Sequence, residues 1–491
     1  MLTCSRFEVS REIALPIRVQ GIRTSFLTLE DNSERSTSAA DFFQIGKPLD
    51  PISQSAKLAE QFVTRNHSNF SLAEIECDTR FNGREVLIQL KTKNRIGAIP
   101  LISPITGKPD HGLIVKPRFP WAGIGSMLGA MGWRVVPIPL KLERFRGSER
   151  SIPPWVLSSM LLLRISNLLN VIGRRFEIVT ELRSAPRGQV RWDEYAMQSM
   201  PTGRFLSVPC TFPDLEHDRH LLGTVRFCLQ MIIESLQTQV DHGAFVHRLI
   251  ELAQHLLLKV KHVPAVIPTP SQMQAWMRKP VKAEFYIDGL QALEWTIEKR
   301  GLAGASKLTG IPWVMEMERF FEAWVETVFH TIARKTGGLM KVGRLRETTR
   351  PISWDPPYVG SQKSLIPDLW LQWGSTTLIL DAKYKRHFQE LQVQNWGAIE
   401  AEWKEQHRHD LLQVLAYANL AQSRTIVSCL IYPCTPATWS HLRDSGKLFH
   451  KAEITVGERA LHLWMTAAPM KAAVDEVATP LIRELMTILR E

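Results

Sequence analysis

Two aspartates and a lysine stand in a stretch that otherwise looks built for burial. In IPDLWLQWGSTTLILDAKYK, from Ile366 to Lys385, Asp368, Asp381 and Lys383 interrupt two apolar runs joined by Gly374–Ser375. Gly as the first central residue suits a type II′ hairpin turn, whose twist matches that of the strands it joins. Counting outward from that turn sets Trp373 opposite Thr376, Trp370 opposite Ile379 and Asp368 opposite Asp381, with Lys383 on the same face. The other face then carries Pro367, Leu369, Leu371 and Trp373 against Leu378, Leu380, Ala382 and Tyr384. A slip of one residue would destroy that segregation.

Opposed carboxylates about 5 Å apart repel by roughly 3 kcal/mol at an effective dielectric of about 20, worth more than about two pKa units. Such a pair wants a cation. Lys383 supplies one charge, and carboxylate oxygens converging on a point are also how Mg²⁺ is held, with waters and a substrate phosphate completing its shell. The chemistry that follows is metal-assisted phosphodiester hydrolysis. The plain alternative is a surface hairpin with an Asp–Lys ion pair.

The flanking elements decide which reading the hairpin serves. In WVMEMERFFEAWVETVFHTIARK, Met317, Phe320, Phe321, Trp324, Val325, Val328, Phe329 and Ile332 form a helical stripe, with Glu318, Glu322 and Glu326 at four-residue spacing beside it. An acidic row flanking an apolar stripe is ordinarily a solvated face. After the hairpin, HRHDLLQVLAYANLAQ sets Gln413 and Tyr417 four apart on one helical face, with Asp410 on the same stripe. A Gln and a Tyr at the edge of a core would look the same. His407 and His409 have no partner at ligand spacing and read as surface residues.

With these residues in view, the IPD…DAK string resembles the PD-(D/E)xK nuclease superfamily. The resemblance implies Asp368 and Asp381 as metal ligands together with the carbonyl of Ala382. It makes Lys383 the group that orients the water and stabilises the pentavalent charge, and Glu322, in the FFE string, a further ligand or water-orienting group. Gln413 and Tyr417 would steady the site or contact the DNA backbone. The implied cofactor is Mg²⁺, with Mn²⁺ as a substitute.

More narrowly, three stretches resemble McrC-type subunits of 5-methylcytosine-dependent restriction systems. These are Arg95 to Leu128, with Lys116–Pro117–Arg118; Arg187 to Gln230, with RGQVRWDEYAMQSM; and the FFEAWV helix. The first 80 or so residues have no counterpart. The resemblance implies double-stranded DNA as substrate, its methylation left open, and a separate AAA+ GTPase or ATPase ring as motor. The N-terminal part of this chain would contact and stimulate that ring. The chain itself lacks a GxxxxGK[ST] loop, since GKPD at Gly107 has neither the preceding Gly nor the Ser/Thr. Three other readings stay open: a stand-alone repair or recombination nuclease, a non-catalytic adaptor binding DNA or a partner, and a transposase-like strand-cleavage subunit.

At 491 residues the chain exceeds one compact core. The order of patterns predicts a multidomain α/β protein: a β-rich N-terminal region over 1–140, a helical middle over 141–300 and a nuclease domain over 301–491. Within the last, a helix is expected from about Val314 to Lys335, strands near Lys341 to Glu347 and at the hairpin, a helix from about Ile399 to Gln422, and a strand in TIVSCLIYP.

The formal charge of +11 favours polyanionic partners without identifying them. Part of the excess is local, with twelve Lys or Arg against six Asp or Glu from Arg134 to Arg204, among them Arg144, Arg146, Arg150, Arg174 and Arg175. Six scattered cysteines without a CxxC pair point to free thiols in a reducing cytoplasm and against a zinc knuckle. The most apolar run, Val156 to Gly173, is interrupted by Arg164, Asn167 and Asn170 and falls short of a membrane span. No secretory signal is expected at the N-terminus.

Overall fold

A computed structural model describes residues 17–19, 22–43, 51–140, 142, 145–146, 153–172, 175–216, 218–278, 284–298, 301–302, 309–356, 358–385, 401–456, 459–471 and 473–490. The chain divides into two units. One joins Met1–Val156 to Leu302–Glu491, and the other is Leu157–Gly301. The N-terminal and C-terminal stretches, expected as separate domains over 1–140 and 301–491, fall in one unit.

The reason lies in a short strand. Trp313–Glu316 lies between Arg95–Leu101 and Ile138–Pro139, antiparallel to both, in a six-stranded sheet that also contains Ile17–Val19, Ile22–Glu30 and His111–Lys116. Its residues were expected to begin the following helix. Trp313, Val314 and Met315 are instead buried, and pairing on both edges outweighs the helical pattern that starts at Met317. Gly97 makes this pairing fit, because a Cβ there would stand 2.1 Å from the carbonyl oxygen of Trp313. The N-terminal region also contains a 22-residue helix, Pro51–Leu72, that its β-type runs had hidden.

The second sheet of this unit runs in the order Leu339–Val342, Leu369–Trp373, Thr376–Ala382, Thr425–Cys434, Arg459–Pro469, Phe449–Val456. The first three strands form an antiparallel meander. Thr376–Ala382, Thr425–Cys434 and Arg459–Pro469 are parallel. All seven residues of Thr376–Ala382 are buried, as expected of a strand covered on both faces. One face packs on the Ala401–Ala418 helix, where Trp370 and Ile379 meet Tyr417, Ala418 and Ala421. The Met317–Thr336 helix also meets this strand, and Phe321 stands against Tyr384, their ring centroids 6.2 Å apart. Phe320, Phe321, Trp324, Val328, Phe329 and Ile332 are fully buried, each stabilising by roughly 1.5–3 kcal/mol.

The hairpin register is the one counted from the turn, from Trp373↔Thr376 to Leu369↔Leu380, and Gly374 has the positive φ, 48°, that its turn position requires. The strand expected from Lys341 to Glu347 is shorter, ending at Val342 in a 3₁₀ turn, Gly343–Leu345. The helix expected from Ile399 ends at Ala418, and residue 399 itself is outside the described residues.

The middle region, expected to be helical, contains the helices Trp155–Val171, Arg219–Gln237, Ala244–Lys259 and Glu284–Ile297. The region is not helical throughout. Arg175–Arg183, Val208–Glu216 and Gln189–Val190 form an antiparallel three-stranded sheet. Of the basic residues singled out in the sequence, Arg144, Arg150 and Arg174 are outside the described residues. The five described cysteines, Cys77, Cys210, Cys228, Cys429 and Cys434, are free thiols. No helix among the described residues is long and apolar enough to cross a membrane.

Gly97→Ala is expected to unseat Trp313–Glu316 and lower the melting temperature of this unit, at a cost of roughly 2 kcal/mol or more. A thermal melt followed by tryptophan fluorescence checks this. An unchanged transition would mean that the sheet yields easily at this point.

Candidate active site

Asp368 and Asp381 meet at the end of the hairpin. Asp368 is the residue just before the Leu369–Trp373 strand, and its Oδ2 accepts a hydrogen bond from the amide of Ala382 at 2.7 Å. Its backbone is clamped from the other side, because its carbonyl accepts from the amide of Gly343 at 2.8 Å. Any side chain at Gly343 would put a Cβ 2.4 Å from the carbonyl oxygen of Pro367. The Thr348 hydroxyl donates to that same carbonyl at 2.7 Å.

Asp381 is 2 % exposed. Its Oδ2 lies 2.7 Å from Nζ of Lys383 without a well-directed hydrogen bond. Lys383 donates in turn to Oε1 of Gln413 at 3.0 Å, and Gln413 donates through Nε2 to the Tyr417 hydroxyl at 2.9 Å. The four-residue spacing read from the sequence thus delivers a relay of polar contacts from Asp381 to the helix surface. A second cation lies alongside. Lys385 grips both oxygens of buried Asp410 at 2.7 and 2.8 Å, and the Tyr432 hydroxyl donates to the same carboxylate at 3.2 Å. Lys385 and Tyr432 were not singled out in the sequence, although Asp410 lay on the Gln413 stripe.

Glu322 lines a cavity of about 540 Å³ together with Asp368, Ala382, Arg134, Arg319 and Arg344. The acidic row on the Met317–Thr336 helix runs from solvent to core: Glu318 is exposed, Glu322 half-buried and Glu326 only 4 % exposed. Its Oε1 receives Arg134 at 2.6 Å and Arg344 at 3.2 Å, while Oε2 receives Nε of Arg344 at 3.2 Å. Neither arginine carried a signal in sequence, because the contacts join residues 192 and 18 positions apart.

Burial is the largest cause that pushes the Asp368 carboxyl well above the usual range, and the charges of Asp381 and Glu322 add to it. Asp381 is also raised, by burial, against the opposing pull of Lys383. Glu322 is pushed up to about 7 by burial, then by Glu318 and Asp381. Burial would lower Lys383, but Asp381 outweighs it and holds the ammonium above its ordinary range. Three acids resisting ionisation beside one lysine leave the site short of positive charge.

That donor chemistry fits a divalent cation. Two adjacent carboxylates, one with a buried oxygen lacking a directed hydrogen bond, sit beside the peptide carbonyl of Ala382. Hard cations such as Mg²⁺ take oxygen ligands of this type and keep several waters. The fit does not extend to Glu322 as a third ligand. Among the described residues no group of three or more His, Cys, Asp or Glu is disposed to hold a metal ion by itself. Glu322 stands instead on the cavity wall, and His407 and His409 take no part in a metal group.

The fold and the site together define a mixed α/β protein with a buried acidic centre and an attendant lysine on one sheet. The model of a family described as a McrBC 5-methylcytosine restriction system component matches residues 142–433, more than half of the chain. The chain belongs to that family. Among solved structures it is similar to a half-complex from the tetradecameric assembly of Thermococcus gammatolerans McrB AAA+ hexamers with bound McrC. That match is 13% identical, covers 94% of this chain and 100% of that one, and has a TM-score of 0.41. The cryo-EM structure of the Thermococcus gammatolerans McrBC complex matches at 13% identity over 62% of this chain and 88% of that one, with a TM-score of 0.25. No curated protein matches.

The raised carboxyls make a signed prediction for stability. Below about pH 4 both folded and unfolded chains hold these protons and no penalty arises. As pH rises, the unfolded chain ionises first. The penalty therefore grows through the folded-state value of about 7 for Glu322 and is complete above it. Metal-free Glu322→Gln is expected to melt a few degrees higher than wild type at pH 8, with the difference closing toward pH 5. Parallel melts at the two pH values check this, and a variant less stable at pH 8 would contradict it.

Proposed function

We propose that this chain is the DNA-cleaving, McrC-type subunit of a modification-dependent restriction system and hydrolyses phosphodiester bonds with Mg²⁺ at Asp368 and Asp381. The observation that carries the reading is the buried Asp368–Asp381 pair, kept from full ionisation and flanked by a charged Lys383. A scaffold gains nothing from such a pair, whereas a cation-requiring catalyst needs it. We read the pair and its lysine as a PD-(D/E)xK centre, and membership of the restriction-system family supports that reading.

Each protein group then has a task. Asp368 is held from two sides, by the Ala382 amide at its side chain and by the Gly343 amide at its carbonyl, so its oxygens arrive already oriented. The bound cation would polarise the scissile phosphate and lower the pKa of a water. Lys383, fixed between Asp381 and Gln413, stays protonated. Its role is to orient that water and to stabilise the negative charge gathering on the pentavalent phosphorus, not to act as a base. Gln413 and Tyr417 hold the ammonium in place. Glu322, poised near neutrality on the cavity wall, is suited to orienting the water or passing its proton onward.

Motor activity belongs to a separate chain on this reading. One solved structure to which this chain is similar holds McrB AAA+ hexamers with bound McrC, and an AAA+ GTPase or ATPase ring is the partner proposed here. Such a ring would drive double-stranded DNA to the cleavage site.

The test is to incubate the full chain and Mg²⁺ with methylated or unmethylated supercoiled plasmid, alone and with the AAA+ protein encoded beside it. Cleavage is expected to require the partner and to fall by at least about 100-fold in Asp381→Ala and Lys383→Ala. Cutting by the chain alone would indicate a stand-alone repair or recombination enzyme. Cutting that survives Asp381→Ala, or none at all, would overturn the active-site assignment and favour an adaptor.

A further inference from the structure

The cavity beside Asp368 is polarised. At one end the carboxyls of Asp368 and Glu322 line the wall. At the other, Arg134 and Arg344 share a single buried carboxylate, Glu326, and that end carries one positive charge in excess. The other arginine of the wall is balanced locally: Glu316 accepts Arg319 at 2.6 Å and Arg95 at 2.7 Å, and Arg95 also meets Glu74 at 3.1 Å, so two guanidiniums face two carboxylates.

We propose that Arg134 and Arg344 form a seat for a DNA backbone phosphate, with Glu326 as the post that aims both guanidiniums into the cavity. The inference rests on the nuclease reading and adds to it the residues that place the DNA backbone relative to the acidic centre. Arg344 turns its Nε and Nη2 edge to Glu326, and Arg134 spends one Nη1 contact. A guanidinium has five N–H donors, so both keep donors over for a ligand. Their side chains remain 39 % and 54 % exposed while Glu326 is 5 % exposed, the pattern of a buried anchor under two accessible cations. Planar guanidiniums are suited to paired contacts with phosphate oxygens.

Placement argues for the same ligand. Arg344 follows Gly343, whose amide holds the Asp368 carbonyl and whose missing side chain allows the close approach to Pro367. A phosphate on Arg344 is therefore held in fixed relation to Asp368. Arg134 comes from the N-terminal stretch, so the seat is complete only where that stretch and the hairpin sheet come together. A cavity with two carboxyls at one end and two arginines at the other matches a phosphodiester next to a divalent ion better than any purely anionic or purely cationic ligand.

The test measures binding of the full chain to a fluorescein-labelled 30-base-pair duplex by anisotropy, with Ca²⁺ replacing Mg²⁺, over a series of salt concentrations. Arg134→Gln and Arg344→Gln are each expected to reduce the slope of log affinity against log salt by about 0.9, the value for one lost phosphate contact. Arg344→Lys keeps the charge and is expected to restore the slope while binding more weakly, since the forked geometry is lost. If the glutamine variants melt lower but retain the wild-type slope, the arginines only brace Glu326 and the proposal fails. Absence of DNA binding by the wild type overturns it as well. Plasmid cleavage by the same preparations separates this outcome from the larger reading. Cleavage lost in Asp381→Ala with unchanged slopes in the arginine variants leaves the nuclease and removes the seat. Reduced slopes in a protein that never cuts leave the seat and remove the nuclease.

Discussion

Two carboxylates that repel each other are held together by the rest of this fold. Asp368 and Asp381 are brought into contact by a hairpin whose opposite face is apolar, so the register that buries Leu369, Leu371, Leu378 and Leu380 is the register that joins the acids. Relaxing the repulsion by a slip would exchange the two faces and drive the charges into the apolar packing. The hydrophobic effect thus holds an electrostatically unfavourable site together, and most of the surrounding polar structure answers the same charge. Lys383 neutralises part of it, Gln413 holds Lys383, Tyr417 holds Gln413, and Asp410 is given its own cation so that it does not compete.

The hairpin and its site were legible in sequence because both depend on short separations. A glycine at the turn and a two-residue alternation fix the register, and a four-residue spacing fixes Gln413 against Tyr417. What escaped depends on distant pairing. Arg134 and Arg344 look like ordinary surface basic residues until Glu326 is seen to be buried beneath them. Trp313–Glu316 reads as the first turn of a helix because the apolar stripe continues unbroken into Met317, and only its two sheet neighbours make it a strand. The middle sheet was passed over because strong helical periodicity on both sides set the expectation for the whole segment. Glu322 shows a different limit. Its position in the FFE string placed it near the site, but its distance from both aspartates is a matter of helix placement that periodicity does not specify.

The N-terminal half also reaches the hairpin by a second contact. The guanidinium of Arg118, from the Lys116–Pro117–Arg118 string, lies over the Tyr384 ring, 4.4 Å from its centroid, with Asp31 beside it. Tyr384 is the residue after Lys383, so the strand end that bears the lysine is packed against the N-terminal stretch as well as against its own helices. Removing that stretch would leave the hairpin sheet with an uncovered edge residue at the site itself.

The strand Trp313–Glu316 also bears on how the chain is made. Arg95–Leu101 and Ile138–Pro139 leave the ribosome about 200 residues before the strand that lies between them, a wait on the order of ten to forty seconds at typical elongation rates of about 5–20 residues per second. During that interval Arg95–Leu101 has an open edge and Ile138–Pro139 lacks its neighbour in the sheet. Arg134, a few residues before Ile138, meets Glu326 only after the same strand has docked. The centre is therefore assembled late in synthesis, so a truncated product ending in the middle unit carries the N-terminal sheet's exposed edge but none of the acidic pair.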